Sequence, residues 1–216
     1  MRYLFYYRHT KLIADILTGA NAVAKKLFFR YSAMNGGKTL DLLKVFYNYE
    51  YLELKVLLLT SSIDTRAATN TIQSRAGISH DAISVSPDED LLKFLDQDYA
   101  CILVDEVQFF SKKQVLQLSD IVDFHNIPVI CYGLRSNYLG EAFESTALLM
   151  AIADNIEELK TICFCGRKAT FNMLIQDGVA QKTGNPIMVD DDSLKGKNQK
   201  YVSVCRLHYK LGNYKP

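Results

Sequence analysis

Two short stretches of this 216-residue chain carry residue types that could do phosphate chemistry. The first reads Ser32, Ala33, Met34, Asn35, Gly36, Gly37, Lys38, Thr39 and follows an apolar run at 27–31. It ends as the phosphate-binding loop G-x-x-x-x-G-K-[ST] ends, with Ser32 where that pattern has its first glycine. In such a loop, successive backbone N–H groups and the N-terminus of the next helix point at phosphate oxygens. The lysine adds a point charge, and the Thr39 hydroxyl can hold Mg²⁺. The second stretch, ACILVDEVQFF at 100–110, is a buried-strand pattern that stops abruptly at two adjacent carboxylates. Open α/β sheets bind ligands at the carboxyl ends of their strands. There Asp105 would serve a metal beside Thr39, while Glu106, pointing elsewhere, would accept or orient a proton on an attacking nucleophile. Singly, the loop could be a chance glycine–lysine turn and the carboxylate pair a solvated strand end. Together, each in the right strand context, they predict nucleotide binding and leave the reaction type open.

A third cluster is Cys163-Phe164-Cys165 with Cys205 and His208 far downstream. Three thiolates and an imidazole make a closed tetrahedral set suited to structural zinc, with no open position for catalysis. The C-x-C spacing is tighter than usual for zinc, and free thiols beside a surface histidine are the alternative. Cys101 and Cys131 fall in apolar runs and read as core residues. This cysteine usage fits a reducing compartment, the cytosol, better than a disulfide framework. His9, His80 and His125 read as surface residues. Asp64-Thr65-Arg66 puts an arginine on the ligand-binding rim, either steadying phosphates or in an exposed ion pair. Tyr138 and Phe143 lie near a strand end, where they either enclose a flat base or serve as core aromatics.

The elements that must position these groups alternate between short apolar runs and helix-like segments, the pattern of a doubly wound, mainly parallel α/β sheet. Core strands are expected at 27–31, 55–60, 100–104 and 128–132. Helices are expected at 38–51 and, shorter, at 88–95, with 148–153 ending another. From 111 to 125, Val115, Leu118, Ile121 and Val122 recur at helical spacing behind Ser111 as N-cap. Near 161 the texture changes, with cysteines, turn glycines and a polar run at 195–200. Three units follow: an N-terminal extension at 1–26, a P-loop nucleotide-binding domain at 27–160, and a small zinc-binding module at 161–216. Residues 190–199, with three consecutive aspartates in 190–192, should be an exposed loop.

Composition bounds the rest. With 49% hydrophobic and 23% charged residues, the chain is an ordinary globular protein. A net charge of +1 counts against nucleic-acid binding by neutralising many phosphates. In the extension, Arg2, Arg8 and Lys11 precede an apolar run at 12–17 that Asp15 interrupts. This loosely has the form of an export signal, but a short amphipathic or frayed extension fits better, and no stretch is long enough to span a bilayer.

The motifs SAMNGGKT, Asp64-x-Arg66, LVDEVQFF, IPVICYGLRSNY, ELKTICFCGRK and KYVSVCRLHY, in that order, give a resemblance to cytosolic thymidine kinases of the zinc-containing, tetrameric type. It covers about residues 27–209, and the C-x-C pair belongs to the bacterial pattern. The resemblance implies transfer of the ATP γ-phosphate to the thymidine 5′-hydroxyl in nucleoside salvage, feedback by dTTP and no nucleic-acid or membrane partner. It makes Ser32 to Thr39, with Asp105, the ATP site and Glu106 the catalytic base. Met34, Phe109, Leu134, Tyr138, Phe143 and Tyr201 would line the nucleoside pocket. A lasso loop tethered by the zinc module would close over the base through backbone hydrogen bonds, with Met188 and Val189 nearest. The lasso stretch at 187–195 is longer and more acidic than the family's, and the extension before Leu27 is longer too. A P-loop ATPase would instead turn over ATP without nucleoside, and a zinc-ribbon module would bind oligonucleotides.

Overall fold

Leu57, Leu59, Ile102, Val104, Val129 and Cys131 belong to one apolar layer, and the residues between them, Leu58, Leu103 and Ile130, belong to another. Alternate strand residues face opposite ways, so this division marks a sheet buried on both sides. The computed structural model describes residues 24–64, 70–186 and 199–215. Its first strands are β1 (Leu27–Ser32), β2 (Val56–Ser61), β3 (Thr71–Gln73), β4 (Ser79–Asp81), β5 (Ile83–Val85), β6 (Cys101–Val104), β7 (Val129–Leu134) and β8 (Asn155–Glu158). β3 and β4 form a hairpin, and the other six make one parallel sheet in the order β5-β2-β6-β7-β1-β8.

Helix α1 (Lys38–Tyr51) covers one face through Leu42, Leu43 and Phe46. Helices α2 (Lys112–His125) and α3 (Glu144–Ile152) cover the other through Val115, Leu118, Ile121, Val122 and Leu149. This is the doubly wound arrangement expected. Ser111 begins α2 with a full capping box: its hydroxyl accepts from the Gln114 N–H, and the Gln114 side chain accepts from the Ser111 N–H at 3.0 Å.

The four expected core strands lie within two residues of the observed ends. The segment 88–95 differs, forming only a 3₁₀ turn at Leu91–Phe94 capped by Asp90. Leu91 is its one buried residue, too small an apolar face to hold a longer helix. Strands β5 and β8 were not anticipated. β8 reads NIEE and is largely exposed, because an edge strand takes its place through backbone bonding rather than an apolar pattern. His80 is half-buried with its ring 4.1 Å from that of Phe46, so it packs rather than facing only solvent.

Beyond the sheet lie β9 (Thr161–Ile162), β10 (Lys168–Ala169), β11 (Phe171–Gln176), β12 (Val179–Ala180), β13 (Gln199–Val204) and α4 (Arg206–Leu211). β9 and β10 form a hairpin, and β12-β11-β13 form an antiparallel sheet. They share a small core of Cys163, Ala169, Met173, Ile175, Val204 and Cys205. Gln199, the last residue of the expected 190–199 loop, belongs to β13 instead, because it continues the ladder opposite Gln176. Residues 1–23 of the expected 1–26 extension, Arg66, Met188, Val189 and the lasso stretch 187–195 lie outside the described residues. No helix of the described residues is long and apolar enough to cross a membrane.

Candidate active site

Strands β6, β7 and β1 are consecutive neighbours in a parallel sheet, so the segments leaving their carboxyl ends lie side by side. The segment after β1 is the candidate phosphate loop. Asn35 and Gly37 take positive φ of 62° and 77°, and Gly37 is the N-cap of α1. Gly36 is required for space: a Cβ there would sit 2.4 Å from Ser32 Oγ. Ser32 thus occupies room that the bare backbone of Gly36 leaves. Its hydroxyl donates to the Ala33 carbonyl at 2.7 Å and accepts from Lys38 Nζ at 3.4 Å, folding the buried lysine back across the loop.

The segment after β6 supplies the carboxylates. Thr39 Oγ1 donates to Asp105 Oδ2 at 3.0 Å, joining the start of α1 to the end of β6. The other Asp105 oxygen accepts from the Glu106 N–H at 3.0 Å. Glu106 is left-handed, with φ 49° and ψ 40°, a conformation costly for a non-glycine residue and one that recurs at functional turns. Gln108 Nε2 donates to Glu106 Oε2, and Gln108 Oε1 accepts from the Leu134 N–H at 3.0 Å. Gly133 makes room for this bridge, since a Cβ there would meet Gln108 Oε1 at 2.9 Å. One glutamine therefore ties the carboxylate to the end of β7.

These carboxylates are not a solvated strand end: Asp105 is 4% exposed and Glu106 6%. Burial, and next the Glu106 charge, push the Asp105 carboxyl up to about 7, against the opposing pull of Lys38, Thr39 and the Glu106 N–H. A cleft of about 540 Å³ runs along the loop, lined by Lys38, Thr39, Asp64, Asp105, Glu106 and Leu134 and walled by the β3–β4 turn at 74–77. That turn brings Arg75 to the cleft, a residue sequence inspection did not single out.

The expected nucleoside residues divide into groups. Met34 and Leu134 line the cleft. Phe109 and Phe143 form an edge-to-face pair at 6.2 Å, and Tyr138 and Tyr201 another at 6.4 Å. Tyr138 is buried, and its hydroxyl donates to the Thr183 carbonyl at 3.3 Å. Gln108 was legible, two residues past Glu106 in the same motif, though it drew no attention. Asn172 and Ser203, which bond to Met34, had no local signal.

Cys163, Cys165, Cys205 and His208 come together, their donor atoms all within 4.8 Å of one another. The β9–β10 turn presents the first two, and Cys205 is the N-cap of α4, whose first turn carries His208. Cys165 and Cys205 sulfurs are 3.9 Å apart, and His208 Nδ1 lies 3.3 Å from Cys163 Sγ and 3.6 Å from Cys205 Sγ. A tetrahedral zinc with bonds of about 2.3 Å to sulfur and about 2.0–2.1 Å to nitrogen requires edges of roughly 3.5–3.8 Å. Three of the six donor distances lie within a few tenths of an ångström of these edges, so the four residues could hold that ion.

Comparison with known proteins agrees with this geometry. The family model described as thymidine kinase matches residues 25–209. A thymidine kinase of Francisella tularensis subsp. tularensis is 59% identical over 194 residues, 88% of this chain and 98% of the relative. Those of Idiomarina loihiensis and Haemophilus influenzae are each 46% identical, over 85% and 86% of this chain and 95% and 96% of theirs. With a phosphate loop joined to a buried carboxylate pair, a Cys₃His cluster and matches of this extent, the chain belongs to the thymidine kinase family of enzymes.

Proposed function

We propose that the protein transfers the γ-phosphate of ATP to the 5′-hydroxyl of thymidine, giving dTMP and ADP in pyrimidine deoxynucleoside salvage. The observation that best supports this is the buried Glu106, turned by its left-handed backbone and held by Gln108 beside the phosphate loop. A water-activating or proton-accepting group needs that placement, and the family's name supplies the acceptor.

On this reading, Ser32 to Thr39 and Asp105 hold ATP, with Lys38 against the phosphates and the N–H groups at the start of α1 turned to their oxygens. Thr39 and Asp105, an all-oxygen pair, would hold Mg²⁺, whose chemistry when bound is to offset charge on the phosphates. Asp64 and Arg66 form the rim. Glu106 accepts the 5′-hydroxyl proton as the new oxygen–phosphorus bond forms and the bond to the ADP oxygen breaks; the proton then passes to solvent. Phosphoryl transfer depends mainly on positioning and charge stabilisation, and this site supplies both.

Met34, Phe109, Leu134, Tyr138, Phe143 and Tyr201 enclose the nucleoside, and Met188 and Val189 contribute backbone contacts to the base. Residues 27–160 thus carry the donor chemistry and 161–216 the acceptor closure, with zinc on Cys163, Cys165, Cys205 and His208 anchoring the latter. Under the same reading the protein is a cytoplasmic homotetramer subject to feedback by dTTP. The test is a phosphoryl-transfer assay with ATP and a panel of nucleosides. Thymidine-dependent dTMP is expected; ATP turnover indifferent to nucleoside, or none with thymidine from folded, metal-replete protein, refutes the assignment.

A further inference from the structure

Asn172 on β11 and Ser203 on β13 are direct cross-strand partners, and both reach out of their sheet to the same residue of the phosphate loop. Asn172 Oδ1 accepts from the Met34 N–H at 2.7 Å, and Ser203 Oγ donates to the Met34 carbonyl at 2.5 Å. Side chains therefore grip this backbone residue at both of its polar groups, much as a neighbouring strand would. The Met34 N–H is committed to Asn172 rather than to phosphate, which sets the plane from which the following N–H groups, Asn35 to Lys38, are presented.

The same amide has a second task. Asn172 Nδ2 donates to the Ser136 carbonyl at 3.2 Å, in the segment leaving β7. That segment is stiff: Ser136 bridges Ala142, and Asn137 Oδ1 accepts from the N–H groups of Leu139 and Glu141, each at 3.0 Å. It carries Tyr138, whose carbonyl accepts from Tyr209 at 2.9 Å. Asn172 is 3% exposed, so both ends of its amide are satisfied by these two segments and water has little part in it.

We infer that Asn172 locks the phosphate loop to the Ser136–Tyr138 segment and that Ser203, by holding the Met34 carbonyl, keeps Met34 on Asn172, both acting as positioning residues, so that binding at one segment raises affinity at the other. This rests on the donor and acceptor roles proposed above for those two segments. An ordered phosphate loop fixes Met34, Met34 fixes Asn172, and Asn172 fixes the carbonyl two residues before Tyr138. Because coupling between sites is reciprocal, thymidine should tighten nucleotide binding by the same factor as nucleotide tightens thymidine.

The experiment is calorimetric titration of thymidine with and without a non-hydrolysable ATP analogue, in wild-type protein and three variants. Ser203→Ala removes one grip on Met34. Asn172→Asp keeps the acceptor for the Met34 N–H but sets a carboxylate oxygen against the Ser136 carbonyl. Ser203→Thr keeps the hydroxyl. The wild type and Ser203→Thr should show thymidine binding at least about fivefold tighter with the analogue present. In Ser203→Ala and Asn172→Asp the ratio should fall toward one, with metal content unchanged. A ratio of one in the wild type, or an unchanged ratio in Ser203→Ala, overturns the inference. Failure of the wild type to bind thymidine at all refutes the kinase assignment instead.

Discussion

Replacing Asp105 with asparagine should make the ligand-free protein more stable at alkaline pH while destroying its use of ATP. Burial and the Glu106 charge raise the Asp105 carboxyl from 3.8 to about 7. A group whose pKa is higher in the folded than in the unfolded chain favours folding while protonated, and that contribution is lost as pH rises through the folded value. Between pH 4 and 7 the unfolded chain carries the charge freely and the folded chain resists it. At about 1.4 kcal/mol per pKa unit, ionised Asp105 opposes folding at pH 8 by at most about 4–5 kcal/mol. Asparagine preserves the shape: its oxygen can accept from the Glu106 N–H, and its NH₂ can meet the Thr39 hydroxyl. The value of about 7 already includes the partial compensation from Lys38, and an amide matches the partners of a carboxyl imperfectly, so a gain of about 1–3 kcal/mol is expected. For a chain of this length that raises Tm by roughly 2–4 °C per kcal/mol. Thermal unfolding without nucleotide or Mg²⁺ should show the gain at pH 8, falling to less than half by pH 5 and vanishing near pH 4. Groups remote from the site act equally on both proteins, so the difference reports Asp105 together with the Glu106 charge it faces. No gain at pH 8, or a gain just as large at pH 5, would refute the claim that this carboxylate is held against its own desolvation. In the same variant, stabilisation by Mg·ATP should be lost.

Glu106→Gln should lower kcat by about 10²–10⁴ while calorimetry still detects ATP and thymidine binding; turnover close to wild type removes Glu106 from the proton-accepting role. Gly36→Ala should weaken ATP binding at least roughly tenfold, because the new methyl would lie 2.4 Å from Ser32 Oγ and the obstacle is steric rather than a left-handed backbone. Adding Ser32→Gly should recover part of that loss, and a single variant that binds ATP normally would show the loop to be looser than its packing. Metal analysis of carefully reduced protein should find about one zinc per chain, and Cys165→Ser should lower both the metal content and Tm. A metal-free preparation with unchanged melting would exclude a structural ion at Cys163, Cys165, Cys205 and His208.

The groups proposed to do the chemistry were legible wherever one short segment contains the whole device. A loop ending Gly37, Lys38, Thr39 after an apolar run, and two carboxylates ending another, are local patterns. Backbone spacing alone brings N–H groups to a helix start and a side chain to a strand end. The central strands were legible for a similar reason, since a strand buried on both faces must be apolar throughout: every residue of β6 and β7 is buried. Edge strand β8 was not, because what holds it is pairing with β1 rather than its own side chains.

What tertiary structure alone decided is which distant groups meet and how dry they become. Arg30, Asp41 and Tyr132 bond one another across β1, α1 and β7, Arg30 and Tyr132 being 102 residues apart. Asn172 and Ser203 reach Met34 over 138 and 169 residues. No periodicity announces such contacts, because one polar residue in a strand reads the same whether it faces water or a buried backbone amide. The same holds for charge. The sequence placed Asp105 beside Glu106, but only the packing around them excludes the water that would have kept the ionisation of Asp105 ordinary. A residue's chemistry is written in its side chain, whereas its protonation and its partners depend on the dielectric and the neighbours that the rest of the chain assembles around it.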